Sequence, residues 1–344
     1  MKQLVAPFPY FGGKRTVVAQ VWQRFGDVRN YVEPFFGSGA MLLGRSERVR
    51  TETVNDVDGL LVNVWRALRA APDAVAQHAD YPVTEADLSA RHLWLVGQRD
   101  GLTSRLQADP EWYDARAAGW WIWGACAWIG TGWCSGRGPW TLQADGTLGK
   151  SNAGQGINRK LPHLGDAGQG INRKLPHLGN AGQGINRQLP PLGHAGRGIN
   201  RKLPHLGDAG RGAFIADWFC EISERMRDVR VACGDWTRVV TPVVTHRHGT
   251  TAVFLDPPYD DGDVDYACGG RVASDVRAWA LEAGQRDDMR IALCGYDEHN
   301  TLADAGWTAF RWKARGGYSS QDGENANAAR ETIWFSPACE VVGA

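Results

Sequence analysis

Both ends of the chain are written in one grammar, and that grammar leaves few architectures open. Short apolar segments, each stopping on glycine, acidic or aromatic residues, alternate with helical patterns. Such alternation specifies a parallel sheet with helices on its faces. "RNYVEPFFGSG" reads as a strand running into a glycine loop, and "AMLLGRS" as the helix that follows. "TETVNDVDGLLVNVWRALRAA" repeats the plan: a strand ending near Val54, an acidic turn, then a helix with apolar residues at 60, 61, 64, 65 and 68. In the last 130 residues, "VRVACGDW", "AVFLDPPY" and "RIALCGYDEH" read as three further strands, with "SDVRAWALEAG" as a helix between the last two. The closing "RETIWFSP" suits an edge or closing strand.

The middle breaks the plan. "TEADLSARHLWLVGQRDGLTSRL" opens with a Thr84-x-x-Asp87 capping box and continues as a helix. A tryptophan-dense stretch follows over 112–140, read either as a packed helix or as a source of aromatic wedges for a nucleic acid, with Arg137 as a candidate phosphate or base contact. Then come 14-residue repeats, "AGQGINRKLPHLGD" and its variants, starting at Ala153, Ala167, Ala181 and Ala195, with a truncated fifth unit at Ala209. One such unit is too rich in glycine and proline to bury a core alone, so stacking or disorder are the alternatives. From Ser151 to Gly212 there are nine Lys/Arg against two Asp. That balance suits either a solvated loop or contact with phosphates.

Composition narrows the classes. At 344 residues the chain holds one large domain or two ordinary ones. Its seven cysteines are scattered, without CxxC pairs or Cys/His clusters, which argues for a reduced protein and against structural zinc or any other metal. The opening "MKQLVAPFPYFGGKR" lacks the apolar core of a signal peptide, and "GWWIWGACAWIG" is too short to span a bilayer. A cytoplasmic protein without a membrane partner is expected. The formal net charge is zero, so a nucleic-acid partner has to be sought in local basic patches.

Four separated pieces carry the chemistry. In "EPFFGSGAM", Gly37 and Gly39 leave a strand and open a helix, a geometry that lets backbone approach a dinucleotide-type ligand and equally makes an ordinary turn. Asp56 ends the next strand, about 20 residues on, where a carboxylate meets ribose hydroxyls. Its neighbours Asn55 and Asp58 read as helix caps. In "GDW", Asp235 and Trp236 end another strand and either grip an adenine or belong to the core. Finally, "FLDPPY" stops a buried strand on an acid and two prolines. The Asp256 carboxylate and the Pro257 carbonyl make an acceptor pair for an amino group that must lose a proton, and Tyr259 offers a face for a base to stack on.

Together, "PYFGGKR", "YVEPFFGSGA", "VNDVD", "CGDW", "FLDPPY" and "RETIWFSP" resemble, in order, the motifs of DNA adenine-N6 methyltransferases of the Dam type, the D12 class. The resemblance covers residues 1 to about 70 and about 214 to 337. It implies S-adenosylmethionine as methyl donor and a Rossmann-like, seven-stranded α/β methyltransferase sheet. It also implies a mainly helical or irregular DNA-recognition region inserted between the second and third nucleotide-binding strands. On that basis residues 1–72 and 213–344 form the two parts of a catalytic domain, and 73–212 the insert with its repeats. Carried over residue by residue, Tyr10 and Lys14 would hold the methionine end of the cofactor, and Glu33, Phe35, Gly37 and Gly39 its centre. Asp56 would take the ribose, and Asp235 with Trp236 the adenine. Asp256 and Pro257 would accept hydrogen bonds from the N6 amine of a flipped target adenine, and Tyr259 would stack on it. Trp236 departs from the family's usual Phe. The repeats are foreign to the Dam pattern, though similar to those of phage-borne methylases, and the target sequence is left open.

The expected partner is double-stranded DNA, with a cognate restriction endonuclease as a candidate second partner and a monomer as the expected state. Two alternatives stand beside this reading: methylation of an RNA base or a protein glutamine amide, and a non-catalytic DNA-binding relative.

Overall fold

The computed structural model describes residues 3–10, 14–45, 47–128, 133–134, 140–142, 148–150, 212–258, 271–295, 300–312 and 331–341. Tyr259, Arg137 and the 14-residue repeats lie outside them. The strands are β1 (Asn30–Glu33), β2 (Thr51–Asp56), β3 (Trp140–Leu142), β4 (Leu148–Lys150), β5 (Arg230–Cys233), β6 (Thr251–Leu255), β7 (Met289–Gly295), β8 (Thr308–Arg311) and β9 (Thr332–Phe335). The α-helices are α1 (Val18–Phe25), α2 (Ala40–Gly44), α3 (Gly59–Ala70), α4 (Pro72–Ala79), α5 (Glu85–Ala108), α6 (Ala115–Ala127), α7 (Gly212–Met226), α8 (Arg271–Ala283) and α9 (Asn300–Asp304).

Seven strands form one sheet in the order β5-β2-β1-β6-β7-β9-β8, and β3 and β4 make a separate antiparallel pair. The first five in that order pair in parallel, whereas β9 runs antiparallel to both β7 and β8. Strand order reverses at β1, whose neighbours are β2 and β6, so the crevice at the C-terminal ends of these strands is the topological switch point where open α/β sheets bind ligands.

The strands read as continuous apolar runs because both faces are covered. Tyr31, Ala252, Phe254, Ala292, Cys294, Ile333 and Phe335 enter one core, while Val32, Val253, Leu255, Ile291, Leu293 and Trp334 enter the other, following the period of two. "TIWF" is therefore not an edge strand. All four of its residues are buried between β7 and β8, and the edge is the short, largely exposed "TAFR" of β8, which the apolar pattern did not announce.

Local chemistry sets the helix boundaries. The Asp58 carboxylate accepts from the Leu60 amide at 3.0 Å and caps α3. Residues 60, 61, 64, 65 and 68 are buried, and Pro72 starts α4 where its missing N–H costs nothing. The Thr84 hydroxyl accepts from the Asp87 amide at 3.1 Å, and α5 follows for 24 residues.

The tryptophan-dense stretch enters a packed helix over its first half. In α6, Trp121 and Trp123 are buried, and Gly119 allows so close an approach to α4 that a Cβ there would stand 2.3 Å from that of His78. Asn63 of α3 fixes the start of α6 by exchanging two 2.8 Å hydrogen bonds with the Asp114 backbone. Helices α4 and α6, and α7 beyond the repeats, share one core with α3.

Candidate active site

The loops leaving β1, β2, β5 and β6 meet at the switch point, and the backbone ties three of them together. Asn55, almost fully buried, donates to the carbonyls of Pro34 (3.0 Å) and Gly234 (2.9 Å), and so stitches the loops after β1 and β5 onto β2. The Phe36 amide bonds the Asn55 carbonyl and the Gly234 amide the Asp56 carbonyl, both at 2.9 Å. Asn55 thus organises the loops, a role that the cap-like spacing of "NDVD" does not disclose.

The glycine loop has the conformation its sequence suggests. Gly37 and Gly39 sit at φ 48° and 63°, in the left-handed region that disfavours a side chain. A Cβ on Gly37 would come within 2.6 Å of the Tyr10 ring, and one on Gly39 within 2.6 Å of Phe36. Tyr10, 38% exposed, therefore lies directly over the loop. The Trp65 indole donates to the Gly37 carbonyl at 3.1 Å from beneath.

Asp56 closes the loop from the other side. Its carboxylate accepts from the Gly37 amide and from the Asp58 amide, each at 2.9 Å. Burial pushes its pKa up to about 6, a rise only partly opposed by these backbone donors. Glu33, at the end of β1, is buried and accepts from the Tyr31 hydroxyl at 2.8 Å. Burial first, with the negative charges of Asp256 and Asp56 adding to it, holds its carboxyl well above the usual range despite that hydrogen bond.

Asp256 follows β6 directly and is the partner of Lys14, whose ammonium lies 3.0 Å from its Oδ1. Lys14 also lies 3.8 Å from Glu331 and 5.8 Å from the Trp312 ring centroid. Burial alone would lower the Lys14 pKa; attraction to Asp256, joined by Glu331, outweighs burial and raises it, so the side chain is a cation. Cys294, buried at the end of β7, hydrogen-bonds Asp256. The contact between Lys14 and Asp256, and the approach of Glu331 and Cys294, join parts of the chain that no local pattern connects.

The "GDW" segment is placed differently. Asp235 is exposed and spends its carboxylate on the amide and hydroxyl of Thr237, while Trp236 is only 8% exposed. The indole stacks on Phe35 at 6.3 Å between centroids and packs edge-on against Trp279. Both are two to three residues past Cys233, the register partner of Asp56, so they stand at the crevice.

Among the described residues no cluster of His, Cys, Asp and Glu could hold a metal ion, and no helix is long and apolar enough to cross a membrane. No curated protein matches the chain. The family model for D12 class N6 adenine-specific DNA methyltransferases matches residues 10–91, from Tyr10 through the glycine loop and Asp56 into α5; the Asp-Pro-Pro-Tyr segment lies beyond that span. Over that span the chain is similar to the D12 class of adenine-specific DNA methyltransferases, and its seven-stranded α/β sheet, with these motifs at the switch point, is of the Rossmann-like kind that such enzymes use.

Proposed function

We propose that this enzyme transfers a methyl group from S-adenosylmethionine to the N6 amine of an adenine flipped out of a specific site in duplex DNA. The observation that carries the reading is the meeting, on the neighbouring strands β1 and β6, of a side-chain-free glycine cradle and the Asp256 carboxylate. The residues present fit the donor. The backbone at Gly37 and Gly39 is open to close approach, and the carboxyl groups of Glu33 and Asp56 supply oxygen acceptors beside it. When bound, S-adenosylmethionine supplies a methyl group on a positively charged sulfur.

Tyr10 and Lys14 would hold the methionine end, and Glu33, Phe35, Gly37 and Gly39 the centre. Asp56 would accept from the ribose hydroxyls, and Asp235 with Trp236 would border the adenine. Asp256 and the Pro257 carbonyl would accept from the target amine, favouring a more tetrahedral nitrogen. These contacts strengthen as positive charge builds on that nitrogen, so they stabilise the transition state more than the ground state. Tyr259, outside the described residues, would stack on the flipped base and offset part of the few kcal/mol that unstacking costs. Residues 1–72 and 213–344 form the catalytic domain on this reading, and 73–212 the recognition insert. The enzyme works as a cytoplasmic monomer, with a cognate restriction endonuclease as candidate partner.

The test is transfer of a tritiated methyl group to unmethylated DNA, together with sequencing that detects N6-methyladenine in DNA from expressing cells. Label in adenine at one recurring motif is expected. Label in RNA or in a protein glutamine would replace the substrate, and no label in any acceptor would identify a non-catalytic relative.

A further inference from the structure

Glu331 has no part in the mechanism above, yet it reaches the same ammonium as Asp256. It stands one residue before β9, and its carbonyl accepts from the Trp312 amide at 3.0 Å, which anchors it at the end of the β8–β9 pair. Its carboxylate lies 3.8 Å from the Lys14 Nζ, against 3.0 Å for Asp256. Coulomb attraction falls as the inverse of distance, so Glu331 exerts about four fifths of the pull of Asp256 at equal dielectric. Lys14 is 4% exposed, and the Glu331 side chain 11%, so water screens neither strongly. The ammonium is therefore shared between two carboxylates.

Sharing matters for the chemistry. An Asp256 carboxylate wholly matched to Lys14 would be a weak acceptor for an amine that is gaining positive charge. An Asp256 whose cation is drawn partly toward Glu331 keeps more of its negative potential. We propose that Glu331 is a positioning residue of methyl transfer, acting through Lys14 to set how much negative charge Asp256 presents to the target amine. The inference rests on the functional reading given above.

The test uses the full chain, with single-turnover methyl transfer to unmethylated DNA at saturating donor and DNA. Glu331→Gln keeps the shape and removes the charge. It is expected to lower the transfer rate about tenfold to a hundredfold, because Asp256 then faces a better-matched cation and stabilises the charge building on the amine less, while the melting temperature is unchanged. Glu331→Asp is expected to recover most of the rate. In a Lys14→Met background, Glu331→Gln should change the rate by less than about twofold, because the two residues act as one unit. Equal losses in both backgrounds, or a fall in melting temperature that accounts for the rate, would make Glu331 a structural residue and overturn the inference. So would an active wild type with an equally active Glu331→Gln variant. Should Lys14→Met fall below detection, failure of Glu331→Asp to exceed Glu331→Gln overturns it as well. A wild type that transfers no label overturns the functional reading itself, and the inference falls with it.

Discussion

Two buried charge clusters lie on the same sheet and are built on opposite rules. Under β2, Arg225 of α7 grips Glu52 through two hydrogen bonds of 2.6 and 2.8 Å, with both side chains 4% exposed. The same guanidinium donates to the Leu42 carbonyl, and the Val49 amide donates to Glu52, so one cation meets one anion and the pair is closed to water. At the switch point, Lys14 is just as buried but serves two carboxylates, and Asp256 remains 24% exposed. Glu33 and Asp56 stand beside Asp256, and burial raises the pKa of both. The first cluster is balanced and holds α7 to the sheet. The second gathers Glu33 and Asp56, two carboxyls whose pKa values burial raises, beside the Lys14–Asp256 pair at an opening, a state that costs stability and is typical of functional sites.

Substitutions on the two sides should separate these roles. The largest effect is expected for Asp256→Ala: methyl transfer falls by about a thousandfold or more, as when an electrostatic stabiliser is removed, while donor binding measured by titration survives in part. Near-normal turnover would remove Asp256 from the chemistry. Glu52→Ala should leave the site's residues in place but destabilise the fold by about 3–5 kcal/mol in urea unfolding, because it strands a buried guanidinium. An equally large loss of stability in Asp256→Ala would erase the contrast.

Gly37→Ala tests the cradle. A left-handed φ and the Tyr10 ring at 2.6 Å both oppose a methyl group there, so donor affinity should weaken about tenfold, at a cost of about 1–2 kcal/mol. Unchanged affinity would move the donor away from this loop.

The last comparison concerns pH. The pKa of Asp56 is raised by folding to about 6 from an ordinary 3.8. Its contribution therefore favours the fold fully below about pH 4, and is lost as pH rises through about 6. Ligand-free wild type should lose up to about 3 kcal/mol relative to Asp56→Asn across that window. A parallel pair of stability curves would show that Asp56 carries no such burden.

The legible parts of this protein are those governed by neighbours in sequence. The alternation of short apolar runs with helical patterns located β1, β2, β5, β6 and β7, and the Thr84 and Asp58 caps located two helix starts. Gly37 and Gly39 announced a backbone that only glycine adopts readily. Illegible were β8, whose "TAFR" is too short and exposed to stand out, and the interior place of β9, because an apolar strand does not say which neighbours flank it. The tryptophan-rich helix could be read as packing within the insert or against the catalytic sheet; that it shares a core with α3 depends on the fit of Gly119 against His78 and of Asn63 against the Asp114 backbone.

The site divides in the same way. Asp56, the glycine loop and Asp256 are strand-end residues, and strand ends can be read from local hydrophobicity; the sequence by itself determined that they lie at one edge of a parallel sheet. Which charges touch was decided only by the tertiary structure. Lys14 precedes α1, Asp256 follows β6 and Glu331 precedes β9, and they meet because β9 inserts antiparallel between β7 and β8 and returns the chain to the rim. Attraction between ions depends on distance and burial, and neither quantity is written in the spacing of residues along the chain.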